Sequence, residues 1–183
     1  EFRRVLFRSV PCDVTDRRSV RAFAAAVSDA HGRIDLLVSN AGGSRELDLT
    51  TLDACFDLTR EIRVNYEGAV NVIAEFLPLL KAGAPSSLVI VGSGYGLVPS
   101  PRVPLYSASK AALHSLATTL RRALAPLDIS VTEVCPPVVD TPSVQHRRVS
   151  KMRPHDVVAQ TLAGARKGRP TVYPGKTKFL PLL

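Results

Sequence analysis

The chain reads as an α/β fold, a doubly wound parallel sheet with helices on both faces. Two observations predict it. Short apolar runs alternate along the chain with longer segments of helical periodicity, the pattern of strand–crossover–strand units. The runs are too apolar for strands open to water, as a parallel sheet covered on both faces requires. Length and composition agree: 183 residues, 45% hydrophobic and 22% charged, suffice for one domain with a core and argue against disorder or a disulfide scaffold.

Val10 to Val14 is a short extended run, with Asp13 at its end. Thr15 is placed to cap a helix through Ala30, with Val20, Phe23, Val27 and Ala30 on one face and Gly32 as its stop. Ile34 to Ser39 (IDLLVS) has a buried-strand pattern, and a loop with Gly42 and Gly43 follows. A long helix is expected over Leu52 to Lys81, with Val70, Ile73, Leu77 and Leu80 at helical spacing. Leu88 to Val91 is the next apolar run, ending in Gly92-Ser93-Gly94.

A loop rich in proline (Pro99, Pro101, Pro104) leads into a helix over Leu105 to Ala125, with Leu113, Leu116, Leu120 and Leu124 inward. Ile129 to Cys135 reads as a strand, followed by Pro136-Pro137. A last helix over Pro154 to Lys167 precedes a short TVYP strand. In such sheets ligands sit beyond the carboxyl ends of the strands. Asp13, Asn40, Ser93 and Pro136 all fall at strand ends, so the chemistry is expected there.

Glu1 to Ser9 (EFRRVLFRS) stands apart. Back-translated as GAG TTC AGA CGT GTG CTC TTC CGA TCT, it resembles the 3′ stretch of a common sequencing-library adapter read in frame. We therefore expect it to be foreign to the natural protein, with residues 10–183 as the domain. Arg3, Arg4 and Arg8 against Glu1 supply +2 of the net charge of +8, leaving +6 for the rest.

Other function classes find little support. The positive charge invites a nucleic-acid reading, but no motif accompanies it and 5% aromatic residues offer no stacking platform. No apolar run approaches the roughly 18 residues of a membrane helix. Cys12, Cys55 and Cys135 are odd in number and far apart, which suits a reducing cytoplasm. His31, His114, His146 and His155 show no metal-ligand spacing, so no metal is expected; His114 reads as a packing or surface residue. Ser93 is flanked by glycines, but position 91 is Val where a nucleophile elbow needs Gly. Arg147, Arg148, Lys151 and Arg153 read as a solvated basic face.

The stronger signal is Tyr106-Ser-Ala-Ser-Lys110 at the start of a helix, whose four-residue spacing puts phenol and ammonium on one face. A tyrosine ordinarily titrates near about 10. A cation about 4 Å away at an effective dielectric near 20 is worth about 4 kcal/mol, enough to bring the phenol toward neutral pH. Such a tyrosine can donate and recover a proton. Ser93 ends the preceding strand 13 residues earlier, Asn40-Ala41-Gly42 follows the strand before that, and Asn65 lies 25 residues after Asn40.

In order and spacing these residues resemble the short-chain dehydrogenase/reductases, NAD(P)-dependent oxidoreductases with a Rossmann fold, over essentially all of residues 10–183. The resemblance implies catalytic roles for Asn65, Ser93, Tyr106 and Lys110. Tyr106 would be the acid/base and Ser93 would hydrogen-bond the substrate oxygen. Lys110 would lower the phenol pKa and hold the nicotinamide ribose, and Asn65 would position a water in the proton relay. It implies that Asn40, Ala41 and Gly42 turn beside the cofactor and that Asp13 meets the adenine. Val139 and Thr141 match the segment that contacts the nicotinamide carboxamide. The implied cofactor is NAD or NADP, the implied substrate a small carbonyl/alcohol pair, and the implied assembly a dimer or tetramer.

Pro136-Pro137 departs from the family's usual Pro-Gly; Pro137 removes an N–H and fixes φ, so the loop over the nicotinamide is expected to differ. PPVVDTP, SGYGLVP and YSASKAALHS are similar to the oxidoreductases of teichoic-acid D-alanylation clusters and, more loosely, to 3-ketosphinganine reductases. The family's glycine-rich TGxxxGxG turn, which lets backbone approach the pyrophosphate, occurs nowhere in the sequence. The expectation is a Rossmann-like domain lacking its first β-α-β unit, truncated at its N-terminus, marginal in stability and inactive as it stands. IDLLVS would then carry a bare edge. The competing reading is a binding or regulatory module on a truncated dehydrogenase scaffold.

Overall fold

The computed structural model describes residues 9–51, 57, 59–146 and 148–182. The adapter-like segment up to Arg8, Cys55, most of the expected start of the long helix and Arg147 lie outside the described residues.

Helix α1 (Arg17–His31) opens on Asp16, whose carboxylate accepts from the Arg18 N–H, and closes on Gly32 at φ 69°. The cap is therefore Asp16 and not Thr15. Asp13 Oδ1 takes both the Thr15 N–H (2.9 Å) and the Thr15 hydroxyl (2.8 Å), and that local turn removes Thr15 from the helix end. The buried face runs through Val20 and Ala24, with Phe23 and Val27 packed beside them, while Ala30 is exposed. Residues 10–14 form no strand: an extended run joins a sheet only beside a partner, and none of the described strands lies there.

Four strands make one parallel sheet in the order β1 (Leu36–Ser39), β2 (Ser86–Val91), β3 (Ile129–Val134), β4 (Thr171–Val172). Val38 pairs with Val89, Ile90 with Glu133 and Val134 with Val172, so the carboxyl ends of the strands line up along one rim. Each crossover is helical. Between β1 and β2 the chain enters α2 (Arg60–Ile62), passes through a π-helical turn (Arg63–Glu67) and continues as α3 (Gly68–Ala82). Among the described residues this helical run starts at Arg60, just after a local turn in which the Asp57 carboxylate binds the Thr59 N–H and hydroxyl. Helix α4 (Pro104–Leu124) leads to β3, and α5 (Pro154–Arg166) to β4.

Side chains of β2 alternate between two cores. Leu88 and Ile90 join Leu37, Ile129 and Val131 under α1, α3 and α4. Val89 joins Val134 and Val172 under Ala165 of α5. Leu80, Leu88 and Ile90 are fully buried, each worth about 1.5–3 kcal/mol of transfer free energy. Val70, expected inward, is exposed, and Ala69, Ile73 and Phe76 carry the α3 face. Leu113 and Leu124 of α4 are buried, with Leu116 and Leu120 packed beside them.

Strand β1 departs from the buried-strand expectation. Leu37 and Ser39 face the α3 side, but Leu36 (42% exposed) and Val38 (47%) face the side on which α5 covers only β3 and β4. β1 is also an edge strand, pairing with β2 alone among the described residues. Among the described residues, Leu36 and Val38 stay largely exposed and no strand pairs with its outer edge.

Candidate active site

Helix α4 mounts Tyr106 and Lys110 one turn apart. The Lys110 Nζ lies 5.6 Å from the centre of the Tyr106 ring and donates a 2.7 Å hydrogen bond to the Val91 carbonyl at the end of β2. Lys110 is only 4% exposed. Burial pulls its ammonium from the ordinary 10.5 down to about 8, while the Glu133 carboxylate pulls the other way.

The residues after β2 close over this pair. Ser93, nearly buried, caps the 3₁₀ turn Gly94–Gly96 by accepting the Tyr95 N–H at 3.2 Å. The Tyr95 ring meets the Tyr106 ring edge-on, with centroids 6.5 Å apart and planes at 85°. The turn thus presents a hydroxyl and a second phenol to the same space.

The turn after β1 is held by Asn65, which is fully buried in the π-helical turn. Its Oδ1 accepts the Gly43 N–H at 2.8 Å, while Nδ2 donates to the Gly43 carbonyl and to Ser109 Oγ of α4, both at 2.9 Å. Gly42 is packed so closely that a Cβ there would lie 2.9 Å from Asn65 Oδ1 and 3.6 Å from Lys110 Nζ. A π-helical turn carries an extra residue, a device often found at functional sites.

These elements enclose a cavity of about 510 Å³ at the carboxyl rim of the sheet. Asn40, Gly42, Ser93, Tyr106 and Lys110 line it, and across the mouth it is walled by Val139 and Thr141. Pro136-Pro137 begins that wall, which is pinned where Met152 N–H donates to the Val138 carbonyl and Asp140 N–H to the Met152 carbonyl, each at 2.9 Å. Asn65 stands behind the lining as a strut. Neither Ala41 nor Asp13 lines the cavity, and Asp13 is exposed. Hydrogen bonds from the Thr15 backbone and then its hydroxyl hold the Asp13 carboxyl below its ordinary range.

Tyr95, Thr177 and Leu180 complete the cavity and escaped the sequence reading. The Gly-Tyr-Gly of residues 94–96 was a local signal for the first; the other two arrive from the C-terminal turn by tertiary packing alone. Glu133 was a missed signal too, a carboxylate on a strand position that shares the buried face with Ile129 and Val131. Among the described residues no group of three histidine, cysteine or acidic side chains is placed to hold a metal, and no helix is long and apolar enough to cross a membrane.

Residues 3–151 match the family model for short chain dehydrogenases. The chain belongs to the short-chain dehydrogenase family. It is 36% identical over 131 residues to the uncharacterized oxidoreductase DltE of Bacillus subtilis, which covers 71% of this chain and 52% of the relative. It is 33% identical over 133 residues to the 3-oxoacyl-[acyl-carrier-protein] reductase FabG of Thermotoga maritima, covering 73% of this chain and 54% of the relative. The chain spans about half the length of the curated relatives it matches. A short chain dehydrogenase from Burkholderia cenocepacia, solved in complex with NADP, superposes with a TM-score of 0.86 at 30% identity, covering 95% of this chain and 74% of that one.

Proposed function

We propose that the protein is an NAD(P)-dependent oxidoreductase acting on a carbonyl/secondary-alcohol pair, with Tyr106 as its acid/base. The observation that carries this reading is the gathering of Ser93, Tyr106 and Lys110 on one cavity at the carboxyl rim of the sheet. The similarity to a dehydrogenase solved with NADP supports it.

The residues present fit the nicotinamide-ribose end of the cofactor. Lys110 brings a hydrogen-bonding ammonium, and Asn40, Gly42, Val139 and Thr141 border the same cavity, with Gly42 packed against Asn65 where a side chain would collide. They do not supply a pyrophosphate cradle, since no TGxxxGxG turn occurs in the sequence. When bound, the nicotinamide supplies the redox chemistry. The chain's own residues handle the proton and the charge. Ser93 Oγ would hold the substrate oxygen and stabilise charge developing there, an oxyanion-type role. Tyr106 would give that oxygen its proton, or take it in the reverse direction. Lys110, a cation beside the Tyr106 ring, would favour the phenolate form, and Asn65 would keep the 40–43 turn against α4.

Without a pyrophosphate turn the 183-residue chain is expected to show no turnover. The test uses the protein expressed from its complete reading frame, following NADH and NADPH oxidation with a panel of ketones. Tyr106→Phe should abolish turnover and leave cofactor binding largely intact. Activity that survives in Tyr106→Phe would overturn the assignment.

A further inference from the structure

Strand β3 hides a carboxylate. Glu133 is 1% exposed and lies on the face of the sheet that carries Ile129 and Val131, under α4. Burying a carboxylate costs several kcal/mol unless partners meet it. His114 meets it: its Nδ1 lies 2.7 Å from Glu133 Oε2. His114 is one turn beyond Lys110 on the same helix, so α4 lays both side chains against the ends of β2 and β3. The other carboxylate oxygen sits against Gly92, where a Cβ would come within 2.4 Å of Glu133 Oε1. Gly92 directly follows Val91, whose carbonyl receives the Lys110 Nζ. The carboxylate therefore occupies the junction of β2, β3 and α4 onto which Lys110 is pinned.

We propose that Glu133 and His114 are positioning residues for Lys110, the buried carboxylate acting as the counter-charge that keeps the lysine an ammonium and the imidazole clamping that carboxylate in place. Three details support it. The absence of a side chain at Gly92 leaves room for the carboxylate. Ile90 and Glu133 are register partners, which sets the carboxylate level with the end of β2. The attraction of Glu133 opposes the burial that pulls Lys110 down. Other titratable groups around the junction are Tyr106 on α4, Cys135 after β3 and Tyr173 after β4. Burial, then Glu133, push the Cys135 thiol far up, so it stays neutral and cannot replace the carboxylate. Tyr173 is likewise pushed up, by burial first and then by Cys135 and Glu133.

The inference rests on the proposed function only for what Lys110 does with its charge; the charge itself is read without cofactor or substrate. The protein from its complete reading frame is labelled with [ε-¹³C]lysine, and the Lys110 resonance, assigned by its loss in Lys110→Arg, is followed against pH. In Glu133→Gln, which keeps the shape and removes the charge, the Lys110 midpoint should fall by about one pH unit or more. His114→Leu should lower it too, by less. His114→Asn, whose amide N–H can stand in for Nδ1–H, should restore it. A Glu133→Gln midpoint that stays or rises overturns the proposal, and a lowered melting temperature with an unmoved midpoint overturns it equally. A midpoint that falls in a wild-type background lacking all turnover would refute the oxidoreductase reading and leave this one standing.

Discussion

Asn65 and Gly43 hold each other at two points, the Gly43 N–H on Asn65 Oδ1 and the Asn65 amide on the Gly43 carbonyl, at 2.8 and 2.9 Å. The second amide hydrogen goes to Ser109, so one side chain ties the turn after β1 to the helix that carries Tyr106. Ser109 in turn donates to the Tyr106 carbonyl at 2.7 Å. The wall and the floor of the cavity are joined through a single amide.

Removing that amide should be costly. Asn65→Ala leaves the Gly43 N–H and carbonyl without their buried partner, and we expect a loss of about 2–3 kcal/mol in denaturant unfolding. Asn65→Asp keeps the acceptor, loses both donors and buries a charge, and should be no better tolerated.

Gly42→Ala presses a methyl group onto Asn65 Oδ1. The strut is fully buried and bonded at three points, so it cannot yield without breaking one of them. A cost of about 1–3 kcal/mol is expected from the overpacking. The check is thermal unfolding, in which the Gly42→Ala midpoint should fall.

Lys110 gives the fold a signature in alkali. Its midpoint is about 8 in the folded chain against an ordinary 10.5, so between those values the unfolded chain binds more protons than the native one. The burden on folding is present in full below about pH 8 and gone above about 10.5. Relative to Lys110→Met, the wild-type chain should therefore gain about 3 kcal/mol across that interval in unfolding measured as a function of pH. A difference independent of pH would refute the burial of a titrating lysine.

Arg45 and Glu61 form a two-pronged pair, both N···O distances 2.7 Å, with Glu61 only 5% exposed. The hydrogen bond from Arg45 outweighs desolvation and holds the Glu61 carboxyl below its ordinary 4.5. The stability it contributes is therefore complete above about pH 4.5 and is lost as pH falls through the lowered folded value. Arg45→Ala strands a buried carboxylate and should cost about 3–5 kcal/mol at pH 7. Arg45→Met with Glu61→Leu should cost less than Arg45→Ala alone, as a double-mutant comparison by chemical unfolding would reveal.

Much of the site was legible because its members are local signals. Tyr106 and Lys110 share a helix turn, and Ser93 and Asn40 fall at strand ends that apolar runs announce. What stayed hidden depends on distance along the chain. Nothing in the residues around Asn65 announces a π-helical turn. Nineteen residues separate His114 from Glu133, and only the packing of α4 on β3 brings them together. Thr15 and Asp16 are both good helix caps, and the choice between them was made by Asp13, which occupies Thr15. Residues 10–14 read as an extended run through Val10, Cys12 and Val14, but Pro11 and Asp13 weaken it and strand formation is decided by a neighbour. The exposure of Leu36 and Val38 has the same origin, since an apolar run cannot say whether a helix lies over it.

The mounting of Tyr106, Lys110 and His114 on successive turns of α4 also divides the molecule by timescale. This 21-residue helix packs against the central strands, so its amide protons should exchange only when the whole chain opens. The turn at 40–51 is largely exposed, and the arm at 136–146 and 148–153 is at most half-buried; both are short of regular structure, and their amides should exchange through small local openings. Tyr106 and Lys110 would thus keep their geometry through many cycles in which the walls around them come and go. Admission of a ligand and maintenance of the reacting groups become separate events, set by different parts of the chain.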